Sequence, residues 1–472
     1  MGRLLTILLL LFPLCSHAAS WYVDNAAAGT SDGTSWSNAF TNPATMAWTG
    51  INPGDTVYVS GGSVTKIYTN TLTIGKDGTL GSPITVKVGQ DAGHNGVAVF
   101  SNAAVRPYGN RPKWNVIDGG RSASFVAPTN HRQVITGATA ITNNIGFVIK
   151  DIVGTNNADT DPAVWYFRNP DNCRFAWIEI SGLTNTGTFD YHETRGTVCY
   201  MDCGDEGGDS STNNVWEYLY LHHNMGQQFA LVSHTPTGFD NLVWRYCYLF
   251  ECGEDHWEVS GGVTVRDSVV GPCYPNGVHN DFFQTEGDYV KIYNNDIRES
   301  QNAILRIQTS AAGTGTNLRH SVWFYNNLVT EKAGRAQGGG TLVEPLCVVH
   351  HDSASPTHMT ILSNLVFANN LFYNSVISTV VDPDEMCRNP LLYWARGTQV
   401  TNSIVTSNVF ANNLVVMKHQ GAGFPATTNA TAAGYWPYTT NDVWVDYNVF
   451  AGTNTAQITL PRRVSYMDVS TN

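Results

Sequence analysis

Between Ile145 and Phe450 a short alternating hydrophobic run leads into a turn ten times over. A chain that repeats one strand-and-turn unit has few folds open to it. In the later copies the turn is an asparagine pair: Tyr293-Asn294-Asn295, Tyr325-Asn326-Asn327, Ala368-Asn369-Asn370 and Ala411-Asn412-Asn413. Aligned on the apolar position before the turn, the copies begin near Phe147, Phe175, Val215, Leu242, Val263, Val290, Val322, Leu365, Asn408 and Val443. The steps run from 21 residues (Leu242 to Val263) to 43 (Leu365 to Asn408), a range that suits solenoid coils joined by loops of unequal length. Asparagine tolerates the left-handed backbone and can bond its own kind one coil above, so the recurring pair predicts a stacked ladder. The pattern predicts an all-β parallel β-helix of about ten or more coils. A β-sandwich also has many short strands, but its hairpin spacing of about 8 to 12 residues is too short, and Asn-Gly hairpin turns are nearly absent here.

The 472 residues are 42% hydrophobic and only 14% charged, enough to bury a long core. Twenty-six basic against 38 acidic residues leave a net charge of −12, which argues against nucleic acid as a partner. Residues 1–18 read as an export signal: Arg3, the apolar run Leu4 to Leu14, then small residues at Ser16 and Ala18. No stretch after it approaches the roughly 20 apolar residues of a membrane span. The expectation is a secreted or periplasmic protein, for which a monomer suffices. Without Cys15, eight cysteines remain, an even number that permits disulfides in an exported chain; Cys199 with Cys203 and Cys252 with Cys273 are the candidate pairs.

From Trp21 to about Gly89 the text differs, with "WYVDNAAAGTSDGTSWSNAF", "INPGDTVYVSGG" and "GSPITVKVG". This opening resembles that of secreted right-handed β-helix proteins of the pectate-lyase-like superfamily. There a Tyr-Val start, an Asp-Gly-Thr-Ser loop and a Pro-Gly-Asp-Thr strand cap the helix. A cap is needed because an open end would expose unpaired backbone and apolar core. The resemblance implies a right-handed helix, with a cap and first coils over 19–97, the helix proper over 98–450 and a polar tail over 451–472.

In such a fold each strand lies about 4.8 Å above its counterpart, so an outward residue type repeated at coil spacing forms a column. Three segments carry one: "EDHWEVSGG", "GVHNDFFQTEG" and "NAILRIQTS". His256 and His279 are 23 residues apart, as are Glu258 and Asp281, and Arg306 follows Asp281 by 25. With Trp257 and Phe282 inward, alternation turns His256, Glu258, His279 and Asp281 outward, with Arg306 beside them between inward Leu305 and Ile307. His234 extends the column, and Gln284, Gln308 and His350 are candidate walls of the same cleft. A charged stripe amid mostly neutral strands points to chemistry.

That chemistry has three forms. Two carboxylates on adjacent coils suit a glycoside hydrolase. In a polysaccharide lyase, Arg306, His256 or His279 takes the proton alpha to a uronate carboxylate, and calcium held by Glu258 and Asp281 neutralises that group. A uronan C5-epimerase shares the proton abstraction, and a glycan-binding or adhesive solenoid uses the groove without catalysis. A second acidic site, Asp202, Asp205, Glu206 and Asp209 in "MDCGDEGGD", is oxygen-rich and could also take calcium. Trp165, Trp244, Trp257, Trp323 and Trp394 are candidates for stacking on sugar rings.

The run Leu305-Arg306-Ile307-Gln308-Thr309-Ser310 is similar to an Arg-Ile-Gly-Thr-Ser stretch of the alginate lyase and chondroitinase B group, and to the Arg-Ile-Lys of polygalacturonases. The Lys and Arg-His-Gly of the former are absent, as are the lysine and paired aspartates of the latter. The reading that follows is an exported polysaccharide-degrading enzyme, a lyase of a uronic-acid glycan before a hydrolase, its fold common to the superfamily and its catalytic set its own.

Overall fold

The computed structural model describes residues 18–451 apart from a set of connecting stretches, of which 155–163, 186–196, 332–346, 374–391 and 412–439 are the longest. Its strands fall into three long sheets in which every paired neighbour is parallel. Among the described residues the first sheet has 15 strands, the second 12 and the third eight. The chain visits them in rotation. Val263–Arg266 lies in the first sheet, Val269–Val270 in the second and Phe283–Asp288 in the third, before Val290–Tyr293 returns to the first one coil on. This is the parallel β-helix that the repeat predicts, right-handed as parallel crossovers are.

Strands form where the residues alternate. Val263–Arg266, Val290–Tyr293 and Val322–Tyr325 each bury the first and third side chain and leave the second and fourth half-exposed. The inward side chains stack by kind along the axis. Phe175 lies on Trp216 and Trp216 on Trp244, with ring centroids 5.6 and 5.2 Å apart. Coil stacking already begins in the N-terminal segment, where Ser20–Val23 pairs with Thr56–Val59 and that strand with Thr85–Val88. The Pro-Gly-Asp-Thr motif earns its place there. The Asp55 carboxylate accepts hydrogen bonds from the Ala19 and Asn52 amides and from Trp21 Nε1, at 2.7, 2.8 and 3.0 Å, and so pins the first strand.

The turn from first to second sheet holds the asparagine ladder. Asn295, Asn327 and Asn370 are buried, and each Oδ1 of Asn327 and Asn370 accepts the backbone N–H of the asparagine one coil before it at 3.0 Å. Asn294, Asn326 and Asn369 stand just before them with φ of 57°, 55° and 55°. Among the described residues this pairing of asparagine on asparagine is seen in these coils. In the earlier coils the left-handed position is Trp177, Tyr218, Tyr246 and Asp267, and the first three replace the ladder by ring stacking: Trp177 on Tyr218 at 4.1 Å and Tyr218 on Tyr246 at 5.3 Å.

Two copies of the aligned repeat belong elsewhere. Phe147–Lys150 pairs with Ala98–Ser101 and Ile178–Ser181 in the second sheet, whereas the copies at Val215, Leu242 and Val263 lie in the first. Val409–Ala411 likewise pairs with Leu371–Tyr373 in the second sheet, and Asn412-Asn413 lies outside the described residues.

Candidate active site

The third sheet carries the acids. Its inward column includes Trp165, Cys199, Phe229, Trp257 and Phe283, and the next position along each strand faces out. In register at that outward position stand Tyr166, Tyr200, Glu258, Gln284 and Arg306, with Ala230 on the coil between Tyr200 and Glu258. Glu258 is half-buried, and its carboxylate accepts from the side-chain amides of Gln227 and, at 3.0 Å, of Gln284. Arg306 Nη1 donates to Asp281 Oδ2 at 3.3 Å, with the Asp281 side chain fully buried and that of Arg306 only 9% exposed. Asp281 in turn donates its backbone N–H to Asp255 Oδ1.

Glu258, Gln284, Asp281 and Arg306 therefore come together as a polar cluster over three coils, but in a different register from the one that spacing suggests. Glu258 pairs with Gln284, 26 residues on, and Gln284 pairs with Arg306. The slip arises at Phe282-Phe283. Both rings are buried, and it is Phe283 that stacks in the inward column on Trp257. Asp281 thus falls two residues ahead of the inward position, where Asp255 stands before Trp257. Beyond this point the ladder shifts by one residue between Val259 and Gly261, a β-bulge that glycine permits. A Cβ on Gly287 would lie 1.3 Å from the Ser260 carbonyl oxygen, so no side chain fits there.

His256 is a correction. Its ring is fully buried, Nε2 lies 2.9 Å from the Gly271 carbonyl and Nδ1 3.5 Å from Cys252 Sγ, and it packs against Phe282. Because the strand begins only at Trp257, alternation does not extend back to His256, and a histidine inside the helix cannot reach a polymer outside it. His234 and His279 lie outside the described residues. Gln308 and His350 are strand neighbours in register, two positions beyond Arg306 and Val348.

Asp202 sits in the strand Cys199–Cys203, in register with Val232, while Asp205, Glu206 and Asp209 lie outside the described residues. Among the described residues no three His, Cys, Asp or Glu side chains are grouped closely enough to hold a metal ion. The Cys199–Cys203 disulfide does not form, since Cys199 is a free, buried thiol; Cys252 is buried beside His256, and its candidate partner Cys273 lies outside the described residues. Cys199 and Cys203 are at opposite ends of one extended strand, about 13 Å apart, far beyond disulfide reach. Trp165, Trp244 and Trp257 fill the core, and Trp323 is half-buried beneath Lys291; the side chain of Trp394 lies outside the description.

Asp255 and Gln227 belong to the cluster and were legible in principle. Each is a buried polar residue two places before an inward aromatic, Gln227 before Phe229 and Asp255 before Trp257, as Asp281 is before Phe283. That recurring step marks the true register.

No protein-family model matches the chain, and no curated protein matches it. Solved structures do. The polysaccharide lyase Pedsa3628 of family PL6 from Pseudopedobacter saltans is similar over 89% of this chain and 88% of its own, at 11% identity and a TM-score of 0.45. The PL6 alginate lyase AlyGC is similar over 90% of this chain, which spans 51% of that one, at 13% identity and a TM-score of 0.44. The GH136 lacto-N-biosidase from Eubacterium ramulus is similar over 90% of this chain and 68% of its own, at 11% identity and a TM-score of 0.43.

Proposed function

We propose that this protein is a carbohydrate-active enzyme that cleaves a uronic-acid polymer by β-elimination over the outer face of the third sheet. The observation that carries the reading is the Arg306 guanidinium, held by Asp281 and two coils from the Glu258 carboxylate, with Gln284 in register between them. A cation fixed in a shielded floor is suited to neutralise a uronate carboxylate, which acidifies the proton alpha to it. Arg306, being ion-paired, keeps its charge and acts as neutraliser. With His256 inside the core, the base assigned here is His279, two residues before Asp281 in the sequence. The base takes the proton, the electron pair forms the carbon–carbon double bond, and the glycosidic oxygen leaves and is protonated. The reading of residues 1–18 as an export signal supports a place outside the cytoplasm for this enzyme. No helix among the described residues is long and apolar enough to cross a membrane.

The half-buried Glu258 carboxylate favours a second reading, glycoside hydrolysis, in which Asp281, buried against Arg306, positions that cation and does not itself meet the sugar. Incubation with a panel of uronic-acid and neutral polysaccharides separates the two. The lyase produces ultraviolet absorbance from its unsaturated product in step with new chain ends, whereas chain ends without absorbance would establish hydrolysis. Retention of the polymer with no change in its length would reduce the protein to a binding module, and changed uronate stereochemistry at constant length would make it an epimerase.

A further inference from the structure

A different sheet offers a second surface of defined chemistry. On the outer face of the first sheet Glu217, Arg245, Arg266, Tyr293 and Tyr325 stand in register on successive coils, and in the adjacent outward column Lys291 is in register with Trp323. Arg174 and Arg245 clamp Glu217 from either side at 2.7 and 2.6 Å, Arg174 also holds Asp118 at 3.3 Å, itself 18% exposed, and Arg266 holds Asp267. The carboxylates lie underneath. Glu217 and Asp267 are 5% and 6% exposed, while Arg174, Arg245 and Arg266 are 34%, 33% and 21% exposed. Lys291 has no carboxylate partner among the described residues and lies 4.8 Å over the Trp323 ring. Solvent therefore meets a row of cations, followed one coil on by half-buried aromatics, with Tyr293 and Tyr325 stacked at 4.9 Å.

We infer that this face binds an acidic glycan, a polyuronate, as an anchoring site separate from the cleft of the third sheet. The chain as a whole carries −12, so a cationic stripe built over buried acids runs against its average and selects for a polyanion. Cationic rows repeat at the coil spacing of about 4.8 Å, which lets successive carboxylates of an extended polymer be met in turn. The neighbouring aromatics offer ring faces and edges to sugars. The identity of the polymer rests on the proposed function; the surface does not.

The test is retention of the full chain on immobilised polygalacturonate. At low ionic strength Arg266→Gln/Lys291→Gln is expected to raise the apparent Kd about fivefold or more, and the difference is expected to vanish near 1 M salt, where screening acts within about 3 Å. Turnover of a short oligouronate should stay unchanged, and Arg306→Gln should keep its retention. If the double variant misfolds, Lys291→Gln and Trp323→Ala measured singly take its place, since neither breaks an ion pair. An unaltered Kd overturns the inference, as does equal retention on a neutral glucan or tighter binding of duplex DNA by the same face. Loss of retention in Arg306→Gln alone would place all binding in the cleft, and would overturn this inference while leaving the proposed function standing.

Discussion

Asn327→Leu should cost this protein about 3 kcal/mol, because the asparagine works in four directions at once. Its Oδ1 accepts from the Asn295 backbone N–H and from Asn295 Nδ2, at 3.0 and 3.1 Å. Its Nδ2 donates to the Ile292 carbonyl and to Asn370 Oδ1, at 3.0 and 3.1 Å. At a net value of about 1 kcal/mol per bond the loss is roughly 4 kcal/mol, and leaving a buried amide without an acceptor adds to it. Leucine is of similar volume and returns roughly 1 to 2 kcal/mol through apolar burial. Asn326, its neighbour, is exposed at φ 55°, and Asn326→Gly should change stability by less than about 1 kcal/mol, since glycine adopts that backbone freely. Urea unfolding followed by tryptophan fluorescence compares the two, with the midpoint as readout because solenoids can unfold in parts. If Asn327→Leu left the midpoint unmoved, or moved it no more than Asn326→Gly, the ladder would not be the element that sets the stability of this turn.

Asp55 should make the N-terminal segment acid-sensitive. Burial works to raise its pKa, but hydrogen bonds from the Asn52 and Ala19 amides and from Trp21 outweigh that and hold it below the ordinary carboxylate value. A depressed pKa means stabilisation that is full above the ordinary value and lost as pH falls through the folded one. Trp21 fluorescence should report this loss on acidification, and Asp55→Asn should abolish the pH dependence along with part of the stability. Burial pushes the Cys173 and Cys247 thiols up from 9.0 to about 12, so native protein should resist a thiol reagent that reacts fully after denaturation. Since their folded pKa is raised, the stability they contribute is present below pH 9.0 and is lost as pH rises toward about 12, which alkaline unfolding curves of Cys→Ala variants would detect.

The coil repeat was legible because each coil must alternate to fill the same interior, and Val263–Arg266 or Val290–Tyr293 announce themselves. The turns were less so. Asn294, Asn326 and Asn369 mark the left-handed position by residue type, but Trp177, Tyr218 and Tyr246 occupy it against propensity, held there by ring stacking between coils that no local pattern reveals. The candidate site fell between these cases. Glu258, Gln284, Asp281 and Arg306 do meet, yet Phe282 and Phe283 both read as inward residues, and only the three-dimensional packing on Trp257 selects Phe283. A slip of this kind exchanges one face for the other. His256 shows the same limit, since a histidine one residue before a strand is free of its alternation and here turns to the Gly271 carbonyl.

Whether the cluster around Arg306 does the chemistry is tested most directly by the rate of polyuronate cleavage by Arg306→Gln. With folding verified by an unchanged unfolding midpoint, removal of the neutralising cation should lower the rate by about a hundredfold or more, and Arg306→Lys should restore a part of it. A rate within about twofold of the unaltered protein would place the active site elsewhere on the helix.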